Sequence, residues 1–476
     1  MTGQTVHTAT TETPSSPPSP PSTGSGAPPK GARGPGATLA ATSAATAVAL
    51  MNYTAPMLTL PGVTASFGTP VSAQAWLLNG TPLGLAALLL VAGSLADDYG
   101  RRRIFLAGTL SLGVTIALGA VAPTTLLFTL ARVAQGAASA AILASSLGLL
   151  VAAFPAGAAR IRATGVWGAF VSGGIAVGPL LAGGLATVDW RLAYAVLAVA
   201  ALVAFAVATR TLTESRAPRA GARPDWTGAV TLALAFTALI GALTLGRDGW
   251  LRTPVAALLA AAVLLTAAFA YVERRAATPM IDLGLFRRPL FLASSAGALF
   301  TGLSVIGLFS CLPTLLHQVR GTTPMSAAWL FVLWSGLAFV VALQARRLAG
   351  RVAARHQLAI GFALHAVGVL AMLGAVHPTG GTLWRLVPGL VVGGIGSGLL
   401  NAALPRLAVE SVPADRAAMG SGANNTARYI GSSAGVALTI AVAPAGVNTA
   451  LWVSAGLAVP AAASVLLLRP RSTQAS

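Results

Sequence analysis

Long apolar runs alternate with short polar connections along most of the chain. Each run has about 20 residues, the length that an α-helix needs to cross a hydrocarbon core of about 30 Å. A soluble core could not use so many runs of this length, so the pattern predicts fourteen membrane-spanning helices. The predicted spans are 38–60, 74–95, 104–122, 125–153, 163–186, 190–209, 227–245, 253–272, 289–315, 326–345, 358–376, 384–408, 419–442 and 446–468.

The same pattern predicts the organisation of the chain. Residues 1–37 are rich in Pro, Ser, Thr and Gly, which indicates a disordered cytoplasmic tail. The spans then group as an N-terminal six-helix half (38–209), cytoplasmic linkers with two extra transmembrane helices (210–288) and a C-terminal six-helix half (289–468). Residues 469–476 form a second cytoplasmic tail. Duplicated six-helix halves are a common transporter architecture, although composition alone does not establish the duplication.

Composition supports an all-α polytopic membrane protein. Of the 476 residues, 55% are hydrophobic and only 9% are charged, whereas about 25% are charged in a soluble domain. The single cysteine, Cys311, excludes a disulfide within the chain and a cysteine-based metal cluster. We interpret it as a small apolar residue that fills space between helices.

The net charge of +19 has two interpretations, nucleic-acid binding or basic loops that fix membrane orientation. On the fourteen-span map, twenty-three of the 30 lysine and arginine residues fall on the side of the termini. Five fall in loops on the opposite side, and Arg132 and Arg428 fall inside spans. Because basic loops remain in the cytoplasm, the bias predicts two cytoplasmic termini and explains the charge without nucleic acid.

One short loop, "GSLADDYGRRR", concentrates charge between the second and third predicted spans. Asp97 stands where a helix end meets the cytoplasm, so it can accept a charge-assisted hydrogen bond from an arginine and interact with a helix N-terminus. The loop resembles motif A of the major facilitator superfamily, which implies a latch between two halves in the outward-open state. A simple basic anchor would explain the arginines but not Asp97, and we expect Asp98 to be solvated. The matching residues are Gly93, Leu95, Ala96, Asp97, Gly100, Arg101 and Arg102.

The fourth predicted span contains "LARVAQGAASAA", which resembles motif B of the same superfamily through Arg132, Gln135 and Gly136. An arginine at membrane depth is costly and usually faces an interior path or a partner. The resemblance implies a role of Arg132 in proton coupling. The alternative is a structural hub that donates hydrogen bonds to backbone carbonyl groups.

The fifth predicted span, "GVWGAFVSGGIAVGPLLAGG", resembles motif C, the antiporter motif. Small residues at this spacing let helices approach closely, and a proline can bend the helix. The closing glycine pair of the motif is met only in part, by Ala182 and Gly183. The resemblance implies export by antiport rather than uptake. The residues that carry it are Gly165, Gly174, Gly178, Pro179 and Gly183.

Two further segments are similar to the fourteen-span drug:proton antiporter family of that superfamily. They are "GSGANNTARYIGSSAGVA" in the thirteenth span, with Asn425, Arg428, Gly431 and Gly435, and "TPMIDLGLFRRPLF" before the ninth. With these segments, the resemblance covers nearly the whole chain after the tail. The chain departs from the family in its first span, where Asn52 replaces the usual aspartate and cannot titrate.

Proton coupling needs a group that can change its protonation state, yet no acidic residue falls near the middle of a predicted span. His365, in the eleventh span, is the only mid-span group that titrates near neutral pH. It is one candidate for coupling, although a neutral histidine hydrogen-bonded inside the bundle is an alternative interpretation. Asp97, helped by Arg101, is a second candidate. A third possibility is transport that protons do not drive.

An apolar cavity near the bilayer midplane would suit a hydrophobic or amphipathic substrate. With no central carboxylate, neutral or anionic compounds are favoured over multiply cationic ones. Packing or hydrogen bonding between helices is the alternative role for every candidate. The candidate substrate-path residues are Asn52, Asn79, Trp334, Asn401, Asn425 and Arg428.

Together these features predict a secondary active exporter, a proton-coupled antiporter of small hydrophobic or amphipathic compounds of the drug and antibiotic efflux type, which works by alternating access. Two alternatives remain open, an exporter of one physiological metabolite and a non-transporting membrane sensor on the same fold. Intact Asp97 and Arg132 favour transport, whereas Asn52 favours the sensor.

The sequence contains no nucleotide-binding loop, metal-ligand cluster or plausible catalytic triad, so we expect neither an enzyme nor a cofactor. The expected partners are a small-molecule substrate, protons as the coupling ion and the lipid bilayer, without nucleic acid. We expect the protein to function as a monomer. Because arginine is used almost exclusively over lysine, we expect a GC-rich bacterial genome and a location in the bacterial plasma membrane.

Overall fold

A computed structural model of the chain describes residues 34–216, 226–246, 249–276, 283–320, 324–345, 351–376 and 383–468, together with residues 2, 3 and 347. Most of the predicted tail 1–37, parts of the predicted linkers and the tail 469–476 lie outside the described residues. The structure discussed below belongs to the compact unit Arg33–Ser476.

The described residues form helices and no β-strand. In chain order the helices are α1 (Pro35–Thr54), α2 (Pro56–Phe67), α3 (Val71–Tyr99), α4 (Arg101–Ala120), α5 (Thr125–Ala153), α6 (Ala158–Ala186), α7 (Trp190–Thr211), α8 (Trp226–Leu245), α9 (Thr253–Arg275), α10 (Pro289–Phe300), α11 (Gly307–Arg320), α12 (Pro324–Ala345), α13 (Ala354–Ala371), α14 (Val387–Glu410), α15 (Ala417–Val442) and α16 (Val447–Leu467).

Two predicted spans are interrupted helices. The first divides into α1 and α2 at Ala55, and Pro56 begins α2, a position where its missing N–H costs nothing. The ninth divides into α10 and α11, which a π-helical turn, Thr301–Ile306, joins. A π-helical turn contains one residue more than the α-helical turn it replaces.

Eleven of the described helical segments are long and apolar enough to cross a membrane. The protein is therefore a multi-pass membrane protein, but the predicted number of fourteen spans is not confirmed. Helices α1, α13 and α15, which match three further predicted spans, are not among the eleven. In α15 the reason is visible in the sequence, because Asn424, Asn425 and Arg428 lower its hydropathy, and all three side chains are buried.

Two apolar cores organise the helices. The first core consists mainly of residues from α1–α7, and the second consists of residues from α10–α16. Helix α3 packs against α15, and α6 packs against α12 and α14, so these pairs join the two cores. Helix α8 packs on α3 and α9 on α8. The side chains of Val263 and Leu264 on α9 are both 69% exposed, as expected for a helix at the edge that faces lipid.

Candidate functional site

A partly open cavity of about 610 Å³ lies between the two cores. Its walls come from α1, α2 and α3 on one side and from α11, α15 and the segment that follows α15 on the other. The single cysteine, Cys311, lies on this wall. The described residues that line the cavity include no charged side chain and no histidine. They are Tyr53, Pro56, Met57, Leu60, Gln74, Leu78, Asn79, Pro82, Ser310, Cys311, Leu315, Ser432, Ser433, Val436, Thr439, Ile440, Ala443 and Pro444.

A second cavity of about 30 Å³ adjoins the main cavity and shares Tyr53, Met57 and Ser310 with it. Arg428 and Tyr429, which line the small cavity, precede the main-cavity residues of α15. The small cavity therefore lies nearer to the beginning of α15. The other residues of its wall are Leu50, Thr54, Ile175, Ile306, Phe309, Phe331 and Trp334.

Asp97 lies where the end of α3 meets the first turn of α15. Its buried carboxylate accepts hydrogen bonds from the backbone N–H groups of Ala418 (3.3 Å) and Met419 (2.8 Å). A helix N-terminus has partial positive charge and stabilises an anion at this position. Gly93, about one turn earlier in α3, permits the approach, because a Cβ atom there would lie 2.5 Å from the carbonyl oxygen of Ala418.

Arg101 connects Asp97 to the surrounding backbone. Its Nε donates to Oδ1 of Asp97 (2.8 Å), and its Nη1 donates to the carbonyl oxygen of Gly148 in α5 (3.0 Å). Its Nη2 donates to the carbonyl oxygens of Ala414 (3.1 Å) and Asp415 (2.9 Å), just before α15. One guanidinium group therefore links α3, α5 and the segment that begins α15.

Asp98 also joins the two cores, and the expectation that it is solvated is wrong. Its Oδ1 atom lies 3.3 Å from Nη1 of Arg416, and its side chain is only 9% exposed. Arg416 directly precedes α15. The two residues are 318 positions apart, so their pairing depends on the folded arrangement of α3 and α15.

Glu214, in the segment after α7, holds the beginning of α4 in place, and sequence reasoning missed it. Its Oε1 accepts a hydrogen bond from the backbone N–H of Arg102 (3.0 Å), and the carbonyl oxygen of Ser215 accepts one from the N–H of Arg101 (2.9 Å). These contacts satisfy N–H groups that a helix leaves unpaired in its first turn. Gly100 makes the preceding turn with a φ of +124°, which glycine adopts readily.

Arg132 lies on α5, fully buried in the first core. Its Nη1 donates to the backbone and side-chain oxygens of Asn52 (both 3.0 Å) and to Oε1 of Gln135 (2.8 Å). Asn52 also donates to Gln135 Oε1 (3.2 Å). Within the described part of the chain, Arg132 has no carboxylate partner, and its Nε and Nη2 atoms have no hydrogen-bond partner. Asn52 therefore faces a buried arginine rather than either cavity.

His365 is fully buried on α13, where its Nε2 lies 3.1 Å from the hydroxyl of Ser454 on α16. That hydroxyl donates its own hydrogen to the carbonyl oxygen of Ser304 (2.9 Å), so His365 Nε2 is the donor of the pair. No described residue accepts from or donates to His365 Nδ1. The contacts place the His365 imidazole in the second core, and it lines neither cavity.

The glycines of α6 form a strip against α1 and α2. A Cβ atom on Gly174 would lie 2.6 Å from the carbonyl oxygen of Ala47, and one on Gly178 would lie 2.7 Å from that of Met51. Gly183 packs on Leu58 in the same way, and buried Pro179 lies between these contacts. Gly165 differs, since its Cβ position is open.

The six candidate substrate-path residues divide into two groups. Asn79 lines the main cavity, and Trp334 and Arg428 line the small one. The remaining three line neither cavity, because hydrogen bonds hold their side chains between or along helices. They are Asn52, Asn401, which donates to Ser172 of α6, and Asn425, which donates to the carbonyl oxygen of Ser421.

Comparison with known proteins matches the chain to a family model described as Major Facilitator Superfamily over residues 42–436. Multidrug resistance protein Stp of Mycobacterium tuberculosis is 33% identical over 404 residues, which cover 84% of this chain and 73% of Stp. Puromycin resistance protein pur8 of Streptomyces alboniger is 31% identical over 402 residues, 83% of this chain and 79% of pur8. The crystal structure of the human organic anion transporter MFSD10 has a similar fold, with a TM-score of 0.65 at 17% identity over 92% of this chain and 100% of that one.

Proposed function

Because the chain belongs to the Major Facilitator Superfamily, we propose that it is a secondary active exporter of small hydrophobic or amphipathic compounds, of the drug and antibiotic efflux type. Members of this superfamily are transporters rather than enzymes. The names of Stp and pur8, a multidrug resistance protein and a puromycin resistance protein, support this type of substrate. The mostly apolar wall of the main cavity also suits such a compound.

The positions of the main cavity and the Asp97 contact carry the proposal. Cavity residues lie near the beginning of α3 and the end of α15, whereas Asp97 joins the end of α3 to the beginning of α15. The two cores are therefore joined at one end and separated by a cavity at the other. Alternating access needs this conformation and a second one, in which the cavity end is closed and the latch end is open. The contacts around Asp97 and Arg101 act as the latch of the first conformation.

The finer topology is also part of the proposal. The helices correspond to fourteen spans when α1–α2 and α10–α11 each count as one, and the two apolar cores correspond to two six-helix halves. Helices α8 and α9 are then the two extra spans. The distribution of basic residues supports cytoplasmic termini, so the latch faces the cytoplasm and the main cavity faces outward.

We assign proton coupling to Asp97, the carboxylate of the latch. A change in its protonation would weaken its bonds to Arg101 and to the N-terminus of α15, and these bonds hold the two cores together. His365 is the weaker candidate, because both its hydrogen bond and its position support a structural role. Among the described residues Arg132 has no carboxylate partner with which to exchange a proton, and its contacts support a role as a hydrogen-bond hub.

The test is proton release from acidified, energised inside-out vesicles, followed with a pH-sensitive dye. Puromycin and a panel of hydrophobic and amphipathic antibiotics are added in turn. The wild-type protein is expected to release protons with at least one compound, and Asp97→Asn is expected to abolish the release. His365→Ala is expected to respond like the wild type.

Two variants are matched controls, since Asp189→Asn and His356→Ala change the same residue types at exposed side chains outside the latch. Both are expected to behave like the wild type. If Asp97→Asn releases protons normally and His365→Ala does not, the coupling site is His365. If vesicles accumulate a labelled compound without proton movement, the protein exports it by another driving force.

A further inference from the structure

Two residues on the wall of the small cavity each carry a buried hydrogen-bond donor without a partner among the described residues. Trp334 contributes its indole N–H and Arg428 its Nε–H, and neither has a partner among the described residues. The side chains are only 5% and 7% exposed, so bulk water does not surround them. Buried donors are normally paired. Two unpaired donors on one small cavity, beside the unpaired hydroxyl of Tyr429, therefore indicate a place for an acceptor that the described residues do not supply.

The charge around the cavity indicates an anionic acceptor. Among the described residues of the small-cavity wall, Arg428 is the only charged one, and none on either cavity wall is acidic. The guanidinium carbon lies 5.6 Å from the ring centre of Tyr429 on the same wall. An arginine that is buried beside aromatic rings, without a carboxylate, attracts an anion strongly because the surroundings screen its charge poorly.

The size and rigidity of the cavity limit what can enter. A volume of about 30 Å³ holds one small group or one water molecule. The indole of Trp334 stacks on Phe309, with ring centres 4.1 Å apart and an angle of 13° between the planes, so the plane of the indole is fixed. The small cavity adjoins the main one, since Tyr53, Met57 and Ser310 line both.

We propose that the small cavity binds an acidic oxygen group of the exported compound, a carboxylate or an ionised phenol, while the apolar body of the compound occupies the main cavity. Arg428 and Trp334 donate to this group. The inference rests on the proposed export function and narrows its substrate class to amphipathic acids. None of the described residues on the two cavity walls is acidic, so none of them could hold a cationic group as a carboxylate would.

The test compares two ligands of nearly the same shape, anthraquinone-2-carboxylic acid and anthraquinone-2-carboxamide. Calorimetric titration of the purified full-length protein in detergent gives the affinity for each, with empty micelles as the blank. The acid is expected to bind at least about tenfold more tightly than the amide, because charge-assisted hydrogen bonds are about twice as strong as neutral ones. Trp334→Phe, which keeps an aromatic ring, and Arg428→Gln are each expected to reduce this preference to about twofold or less.

Matched controls are Trp329→Phe and Arg385→Gln, which make the same changes at exposed positions and should keep the preference. Three outcomes overturn the proposal: equal binding of the two ligands, no binding of either, or a preference for the acid that persists in both cavity variants. The small cavity would then hold water rather than an acidic group of the substrate. Export of puromycin or of another antibiotic is measured separately. Export without acid preference overturns only this inference, whereas acid preference without export overturns only the proposed function.

Discussion

Arg132 and Arg428 are both buried inside the helical bundle, but their surroundings give them different properties. Arg132 directs one nitrogen to Asn52 and Gln135, so neutral oxygen atoms of the chain hold the cation. Arg428 lies on a cavity wall, with its Nε atom unpaired among the described residues. A buried charge is tolerated only with compensating partners. Both arginines keep nitrogen atoms without a partner among the described residues, but only Arg428 of the two lines a cavity that a ligand can enter.

The contacts of Arg132 lead to a prediction for Asn52. Asn52→Ala removes one acceptor of the buried arginine and is expected to lower the free energy of unfolding by about 1–3 kcal/mol. Asn52→Asp keeps an oxygen close to Arg132 Nη1 and adds the opposite charge, so its stability is expected to equal or exceed that of the wild type. Thermal unfolding of the purified variants in detergent is the measurement. If the aspartate variant is as unstable as the alanine variant, Asn52 does not stabilise the protein by accepting hydrogen bonds from Arg132.

The latch could be anticipated from the sequence only in part. The spacing of motif A indicated that Asp97 would contact an arginine and a helix N-terminus, because a carboxylate at a helix end has few other partners. The pairing of Asp98 with Arg416 and the contact of Glu214 with Arg102 could not be anticipated. Both join segments that are distant in sequence, and neither acid belongs to a local pattern.

At the scale of elements, close contact between helices depends on the absence of side chains. The glycines of α6 bring its backbone against α1, and Gly431 and Gly435 of α15 do the same against α10 and the π-helical turn. Inside a membrane, where the hydrophobic effect does not drive helix association, such close packing is a main source of attraction.

Within the glycine motif of α6, Gly165 is a control for Gly174, because of the two only Gly174 packs tightly against α1. Gly174→Ala places a methyl group 2.6 Å from the carbonyl oxygen of Ala47, so we expect a loss of about 1–3 kcal/mol in stability and reduced export. Gly165→Ala adds the same group in open space and is expected to change neither. Thermal unfolding and antibiotic export measure the two effects. Equal damage in both variants would show that packing against α1 is not what the motif provides.

The helices themselves could be largely predicted from hydrophobic runs, but their interruptions could not. A run of apolar residues shows that a segment can lie in lipid, and it contains little information on where the backbone breaks. The break at Ala55 has a signal, since Pro56 and Pro61 interrupt the pattern. The π-helical turn 301–306 has none, because its sequence, TGLSVI, is compatible with an ordinary α-helix.

For the whole molecule, the latch and the main cavity describe one state of a two-state transporter. The cores are held together by contacts of α3 and α4 with α15, at the end away from the cavity. A conformation with these contacts broken and the cavity closed is the other state. A ligand or a proton shifts the balance only if it stabilises one of the two more than the other.

Labelling of the single cysteine can measure the equilibrium between these two conformations. Cys311 lies on the main cavity wall, so a membrane-impermeant maleimide added outside intact cells is expected to label it in the latched state. Asp97→Asn weakens charge-assisted bonds worth about 2 kcal/mol, which corresponds to about thirtyfold in the equilibrium between the latched and unlatched conformations. The variant is therefore expected to be labelled more slowly. Asp189→Asn, at an exposed aspartate outside the latch, and labelling after denaturation are the controls. Unchanged or faster labelling of Asp97→Asn would show that this carboxylate does not hold the outward-facing state.

The π-helical turn between α10 and α11 has a genetic consequence. Such a turn stores one surplus residue, so an in-frame deletion of a single codon within 301–306 would restore a continuous α-helix and leave the two flanking segments facing the same way. Cys311 would stay on the cavity wall and remain open to labelling. The same deletion in the middle of α5, which has no surplus residue, would turn one part of the helix by about 100° against the other. The chain therefore has at least one place in its membrane region where its length can change by one residue without a change of register.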